Sequence, residues 1–324
     1  MSDRSRQRRR AAGERGGFTL VELLLALLIG LVVLSGSIGF ALTMWRDLAG
    51  ARIREGVSRH ARFVGMALER DLQHTGVSLE SQPAFGSLNV TNDTLSILGV
   101  PFEPTEAPVY RLAPKSGTGT TLPAGGTCGS FCLNLKAPTA GDPVELEPGD
   151  LAMLNIEGAR RLIVVTHVSP VTDSTAVTIA SLASILHRPG TFAPPPGSGT
   201  NIRLKRGTTV VQKLAPVVYW LQGDSLMRAE RFNDDGTYDG APVAEGVVDW
   251  QVTLLLTDGR EVDGAAHTDT DADNDHDDVI GVRVRMVLQS QETDPRVNAG
   301  APVERSYEWR FTPRNLMYER NRKK

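Results

Sequence analysis

Three groups of residues in this 324-residue chain have the types and spacing that chemistry requires. The first is Asp269-Thr-Asp271-Ala-Asp273-Asn274-Asp275-His276-Asp277-Asp278, six aspartates in ten residues, with Asp263 upstream. Hard carboxylate oxygens alternating along a loop suit a calcium ion, and they repel one another where nothing neutralises them. Asp269, Asp271, Asp273, Asp275 and Asp277 are the candidate calcium ligands; a solvated acidic loop is the competing reading. The register from Asp269 begins like an EF-hand, but Asn274 stands where that loop needs glycine and Ile280 where it needs glutamate. The second group is Cys128-Gly-Ser-Phe-Cys132, which holds both cysteines of the chain. A Cys128–Cys132 disulfide is the preferred reading, and by chain entropy so short a loop contributes only ~2 kcal/mol, enough to pin a turn. Three intervening residues are the wrong spacing for a thioredoxin-like pair, and no pair of histidines stands near to complete a zinc site. The third is Glu22, the one ionisable side chain in an otherwise apolar segment.

Signatures of catalysis are missing from the sequence. There is no Gly-x-Ser-x-Gly elbow, no Walker A loop and no His-Glu-x-x-His. The six histidines, His60, His74, His167, His187, His267 and His276, show no paired metal-ligand spacing. The expectation is a protein that is not an enzyme.

Glu22 owes its interest to what surrounds it. Residues 1–17 hold Arg4, Arg6, Arg8, Arg9, Arg10 and Arg15 against Asp3 and Glu14, a net charge of +4 with no large apolar residue beyond Met1. Such a stretch reads as a cytoplasmic, positive-inside leader. From Leu23 to Trp45 there follow 23 residues without charge or proline. As a helix this run reaches roughly 34 Å, enough to cross a bilayer core of about 30 Å. A secretory signal has a shorter apolar core followed by small residues at its cleavage site, whereas here Gly16 and Gly17 precede the apolar run. A carboxylate inside a span costs about 2.5 to 3.5 kcal/mol when central and less near an end. Glu22 therefore either snorkels to the headgroups or has a partner.

The string Gly17-Phe18-Thr19-Leu20-Val21-Glu22-Leu23, after a short basic leader and before a long apolar helix, closely resembles the class III signal of type IV prepilins and type II secretion pseudopilins. The resemblance implies that a membrane prepilin peptidase cuts after Gly17 and that the new N-terminal Phe18 is methylated. It further implies that Glu22 neutralises the N-terminal amine of a neighbouring subunit during assembly. Two charges that each disfavour lipid become less unfavourable there when paired. Removing residues 1–17, with their net +4, takes the chain from −3 to −7 and leaves 307 residues. Many major pilins carry a proline in mid-helix; this chain has Gly30, Gly36 and Gly39 instead.

Beyond the span, Val57, Ala61, Val64, Leu68 and Leu72 fall three or four residues apart with charged residues between them. That is the stripe of an amphipathic helix, ending near Thr75-Gly76. The spacing predicts one helix from about Phe18 to His74. Thereafter Asp93–Val100, Leu151–Ile156, Arg161–Val168, Ala176–Leu182, Val247–Leu256, Val279–Leu288 and Tyr307–Phe311 read as strands. Val217–Gln222 and Ser225–Glu230 read as a hairpin over Gly223-Asp224. Pro101–Gly149 and Ser184–Ile202 read as irregular surface insertions.

The overall class is α+β, the pilin-like lollipop in which a long N-terminal helix packs on an antiparallel sheet. The expected divisions are a cleaved leader at 1–17, a transmembrane half-helix at 18–45, an amphipathic half at 46–75 and a periplasmic β-rich domain at 76–324. Arg62-Phe63, Leu68-Glu-Arg-Asp-Leu72, Val243-Ala-Glu-Gly-Val-Val-Asp249, Val282–Leu288 and Arg310-Phe-Thr-Pro-Arg-Asn315 are similar to PilW-type minor pilins, with the pseudopilin GspJ a close competitor. The partners this implies are a prepilin peptidase, other minor pilins or pseudopilins and the major subunit. The place it implies is the inner membrane, crossed once with the N-terminus in the cytoplasm. An uncleaved, membrane-anchored binding protein and a tethered hydrolase are the readings from other classes.

Composition bounds all of this. With 40% hydrophobic residues, two cysteines, 32 Gly and 19 Pro, the chain is too apolar for wholesale disorder, too poor in cysteine for a disulfide scaffold and too poor in glycine for a collagen. Lys+Arg 35 against Asp+Glu 38 gives no net basic charge and implies no nucleic-acid partner.

Overall fold

The computed structural model describes residues 19–77, 79, 81–82, 85–101, 109–113, 120–122, 132–139, 141–171, 174–181, 202–233, 237–263 and 276–317. Helix α1 runs from Leu20 to Gln73, 54 residues, or about 81 Å at the usual rise. Residues 20–48 are exposed throughout. An apolar helix exposed on every side calls for an apolar surrounding, protein or lipid, in place of water. Burial begins at Gly50 and continues through Ile53, Val57, Ala61, Val64, Leu68 and Leu72, the stripe that the spacing predicts. The helix ends at His74, whose N–H donates to the Asp71 and Leu72 carbonyls. Gly76 then takes φ +69°, the left-handed conformation that glycine supplies without penalty. The Asn315 amide, from near the other end of the chain, donates to the Gln73 and Thr75 carbonyls at 3.3 and 3.0 Å, satisfying one of the helix's last acceptors and one in the turn that follows it.

Strands β1 (Leu88–Thr91) and β2 (Thr94–Gly99) form a hairpin over Asn92-Asp93, both with positive φ. Eight strands follow: β3 (Val109–Leu112), β4 (Thr120–Leu122), β5 (Cys132–Lys136), β6 (Leu151–Ile156), β7 (Ala159–Val171), β8 (Ser174–Ser181), β9 (Ile202–Leu204) and β10 (Val210–Lys213). β11 (Ala215–Gln222) then returns to pair with β2, and β12 (Ser225–Ala229) and β13 (Ala241–Glu245) complete a five-stranded sheet ordered β1-β2-β11-β12-β13. The expected hairpin is present, with Gln222 opposite Ser225 and Gly223 at φ +65°. Finally β14 (Val247–Leu256), β15 (Glu261–Val262), β16 (Val279–Gln289) and β17 (Glu304–Phe311) form a four-stranded sheet ordered β15-β14-β16-β17. Every pairing is antiparallel, so helix plus antiparallel sheets confirms the α+β class.

The middle of the chain departs from expectation. Pro101–Gly149 is not wholly irregular: its described residues include β3, β4 and β5. Strands β10-β3-β5-β8-β7-β6 close into a barrel that is separate from both sheets. The strands at 151–181 belong to this barrel rather than to a single sheet with β14 and β16. β3 and β5 are only four and five residues long, too short for alternation to stand out from the surrounding glycines and prolines. Most of Ser184–Ile202 lies outside the described residues, and Ile202 opens β9.

Three apolar clusters hold these parts together. Tyr110, Leu112, Leu133, Leu135, Leu154, Ile163, Val165 and Val177 fill the barrel. The opposite faces of β6 and β7, through Leu151, Met153, Leu162 and Val164, pack against Phe85, Leu98, Val218 and Phe232. β6 and β7 are thus buried on both sides, which explains why they read as unbroken apolar runs. The helix stripe joins Leu95, Ile97, Tyr219 and Leu226 of one sheet to Trp250, Val282, Val284 and Met286 of the other.

Candidate assembly site on the N-terminal helix

Glu22 lies in the first turn of α1, where Thr19 is the N-cap. The Glu22 N–H donates to the Thr19 hydroxyl at 3.3 Å, and the Thr19 N–H and hydroxyl each approach Glu22 Oε2 at 3.3 Å. This is a capping box, which satisfies helix-end donors and places negative charge at the positive end of the helix dipole. Both contacts use Oε2, and Glu22 Oε1 takes no hydrogen bond among the described residues. The carboxylate can therefore cap its own helix and still face a cation from outside. The segment Leu20–Trp45 that carries it is apolar and wholly exposed, with mean hydropathy reaching 2.5. It is consistent with single-pass membrane anchoring.

At its other end the helix is locked to the sheets. Asp71 sits on the buried stripe, three residues after Leu68, with only 7% exposure. Its carboxylate accepts from the Tyr219 hydroxyl at 2.5 Å and from Arg228 through Nε at 2.7 Å and Nη2 at 2.9 Å. The fork-to-carboxylate geometry fixes both direction and distance. Arg228 also pairs through Nη1 with Glu230 at 2.5 Å. Burial first, and the Asp71 hydrogen bond second, push the Tyr219 hydroxyl well above its usual pKa. For Arg228 burial works to lower the pKa, but its hydrogen bonds to Asp71 and Glu230 outweigh this and raise it. The guanidinium stays charged, and the helix is tied to β11 and β12 by a satisfied ion pair. On the other sheet, Tyr307 donates to Ser58 at 3.3 Å, and Trp309 stacks on Tyr307. Trp309 passes so close to Gly65 that a Cβ there would lie 2.9 Å from its indole nitrogen.

None of Asp71, Tyr219 and Arg228 is singled out by sequence patterning. The available signal was the carboxylate of Asp71 falling on the apolar stripe, because an aspartate is almost never buried without a partner.

Other sequence-predicted residues fall as follows. Gly17 and Phe18 lie outside the described residues, one position before the cap. Cys132 opens β5 and is buried, while Cys128 lies outside the described residues. Asp269, Asp271, Asp273 and Asp275 also lie outside them. Asp277 belongs to the short 3-10 turn His276–Asp278, which leads into β16. Among the described residues, no three His, Cys, Asp or Glu side chains are grouped to hold a metal ion.

Residues 14–38 match the prokaryotic N-terminal methylation motif. No curated protein matches the chain significantly. The match spans the residues on both sides of Gly17-Phe18, takes in Glu22 and ends within the exposed apolar half of α1. The chain thus carries the N-terminal signal of prepilin-like precursors, the kind that a prepilin peptidase processes, set into a single apolar helix.

Proposed function

We propose that this chain is a minor pilin or pseudopilin precursor whose action is assembly rather than catalysis. The observation that carries the reading is the methylation motif at residues 14–38, borne on a helix that is apolar at one end and locked into sheets at the other. In this reading residues 1–17 are removed, 18–45 span the inner membrane, and 46–75 carry the β-rich body of residues 76–324 in the periplasm. Phe18 is methylated, and Glu22 offers its open oxygen to the N-terminal amine of a neighbouring subunit while the Thr19 cap holds it in place. The scattered PilW-like segments favour a subunit that primes or caps a type IV pilus together with other minor subunits. A GspJ-like role in a type II secretion pseudopilus rests on the same segments. The Cys128–Cys132 disulfide and calcium at Asp269–Asp277 complete the proposal for the periplasmic body, each testable by a shift in melting temperature on reduction or chelation.

The test is intact-mass and N-terminal analysis of the protein made with and without a prepilin peptidase. Peptidase-dependent loss of residues 1–17, with a methyl group on Phe18, is the expected result. A full-length chain in both cases overturns the reading and favours an uncleaved, membrane-anchored binding protein. Glu22→Ala should block incorporation into a filament while leaving the melting temperature of the β-rich body unchanged; normal incorporation would remove Glu22 from the mechanism.

A further inference from the structure

Where the apolar half of α1 gives way to the half that carries the sheets, three arginines stand without carboxylate partners. Arg46, Arg52 and Arg54 are exposed, and among the described residues none is within salt-bridge distance of an acid. Trp45, 66% exposed, closes the apolar run just before them. At about 100° per residue the three stand at about 0°, 240° and 80° around the axis, so they encircle the helix rather than line one face. The Cα–Cβ bonds of a helix tilt toward its N-terminus, so long side chains here lean toward the apolar half. Arg54 shows this lean: its guanidinium lies over buried Gly50, where an added Cβ would meet Nη2 at 3.3 Å and Nη1 at 3.4 Å. Its charge thus sits one turn back from its own Cα, about 7.5 Å beyond Trp45, and a similar lean brings Arg52 to about 5 Å. The next arginine, Arg59, is already paired with Glu55 at 3.4 Å. Asp47 is the carboxylate of this layer and leaves it net +2, whereas residues 76–324 hold 23 Lys and Arg against 31 Asp and Glu, net −8.

We propose that Arg46, Arg52 and Arg54 form a collar that binds the phosphates of anionic phospholipids in the leaflet where α1 leaves the bilayer. The inference rests on the membrane span of the assembly reading. A bilayer of about 40 to 45 Å has an apolar core of about 30 Å, so each headgroup layer is about 5 to 7 Å deep. Trp45 marks the inner boundary of that layer, as tryptophans at membrane interfaces do, and the guanidiniums fall within it or at its outer limit. A ring of charge around the axis suits an annulus of lipid, whereas an acidic protein surface would reach only one side of it. Arginine forks take phosphate oxygens bidentately, and each basic side chain at an anionic surface favours it about fivefold. The acidic body is repelled by the same lipids, so the collar is the part of the chain that draws them. Held there, the arginines fix the depth of α1 and with it the distance of the sheets from the membrane.

The experiment is fluorescence quenching of the mature full-length chain, reconstituted in phosphatidylcholine vesicles, by lipids with brominated acyl chains. Brominated phosphatidylglycerol or brominated phosphatidylcholine is included at the same mole fraction, and the quenching lost in Trp45→Phe is assigned to Trp45. Phosphatidylglycerol should occupy the positions around Trp45 about tenfold more readily than phosphatidylcholine at low salt, and the preference should shrink as salt rises. Arg52→Gln/Arg54→Gln should bring it below about threefold. Gly50→Ala, which crowds the Arg54 guanidinium off its seat, should lower it about twofold. Arg62→Gln, about 25 Å beyond Trp45, should leave it unchanged. Equal quenching by the two lipids, or a preference indifferent to the double variant, overturns the proposal. So does loss of the preference to inorganic phosphate at constant ionic strength, which would make the arginines a site for free anions, or to polyglutamate, which would make an acidic protein segment the better occupant. Quenching of Trp45 by neither lipid overturns the membrane span itself, whereas equal quenching by both leaves the span standing and removes only the collar.

Discussion

Replacing Asp71 by alanine removes the acceptor of three hydrogen bonds, one from Tyr219 and two from Arg228. Breaking one side of a buried ion pair costs about 3 to 5 kcal/mol, because the remaining charge is left uncompensated. Two features reduce that here. The Arg228 side chain keeps 22% exposure, so water reaches part of it, and Glu230 still pairs with Nη1. Against this, the Tyr219 hydroxyl loses a short bond and stays buried, an unsatisfied donor worth about 1 to 3 kcal/mol. The expected loss is therefore about 3 kcal/mol, roughly a hundredfold in the folded-to-unfolded ratio. Urea unfolding of the mature chain in detergent, followed by the fluorescence of Trp220, Trp250 and Trp309, reads it as a lower midpoint at unchanged slope. Arg228→Met alone should cost a comparable amount, and the double variant less than the sum, with a coupling of about 2 kcal/mol. A loss below about 1 kcal/mol for Asp71→Ala, or strict additivity in the cycle, would refute the claim that this network ties helix to sheet.

Gly65→Ala should destabilise by about 1 to 2 kcal/mol, because overpacking against Trp309 exceeds alanine's helix preference. Gly56→Ala, where an added Cβ meets nothing within 4 Å, should stabilise by about 0.5 to 1 kcal/mol in the same urea assay. The raised pKa of Tyr219 means that the native state holds a proton which the unfolded chain releases near pH 10. Stability should then be intact below that pH and fall as it rises, and Tyr219→Phe should flatten this alkaline limb in melts between pH 8 and pH 11. At the acid side, Arg283 beside Glu308 lowers that carboxyl below its ordinary value of 4.5. Its contribution is present above that pH and lost as the pH falls through the lowered value, so Glu308→Gln should flatten the acid limb of the same profile.

The helix was legible almost to the residue because two long periodic signals agree with its caps: an unbroken apolar run, then a stripe at three and four. Long alternating strands such as β14 and β16 were legible for the same reason. The hairpin over Gly223-Asp224 announced itself through its turn. The β1–β2 hairpin did not, because Asn92-Asp93 lacks the glycine that marks such turns, although both residues adopt positive φ. The barrel was hidden because closure is a pairing fact: β10 meets both β3 and β6, about 100 and 55 residues away in sequence, and no local pattern encodes that. Glu22 was legible as the charge in an apolar run. Asp71 was masked by its neighbours, since Glu69 and Arg70 make a charged stretch in which one inward-facing acid is easily passed over.

The pairing of Gly99 with Ala215 also sets an order of events in folding. For β2 to find β11 in an otherwise unfolded chain, a loop of about 115 residues must close, at an entropic cost of about 4 kcal/mol. If the barrel forms first, its own ends stand side by side and the remaining gap is about ten residues, costing about 2 kcal/mol. That difference of about 2 kcal/mol falls on the rate rather than on the final stability. The inserted barrel is therefore a clasp: it closes on its own contacts, brings the two halves of the interrupted sheet together, and lets the α1 platform complete only after the chain past residue 215 has been synthesised.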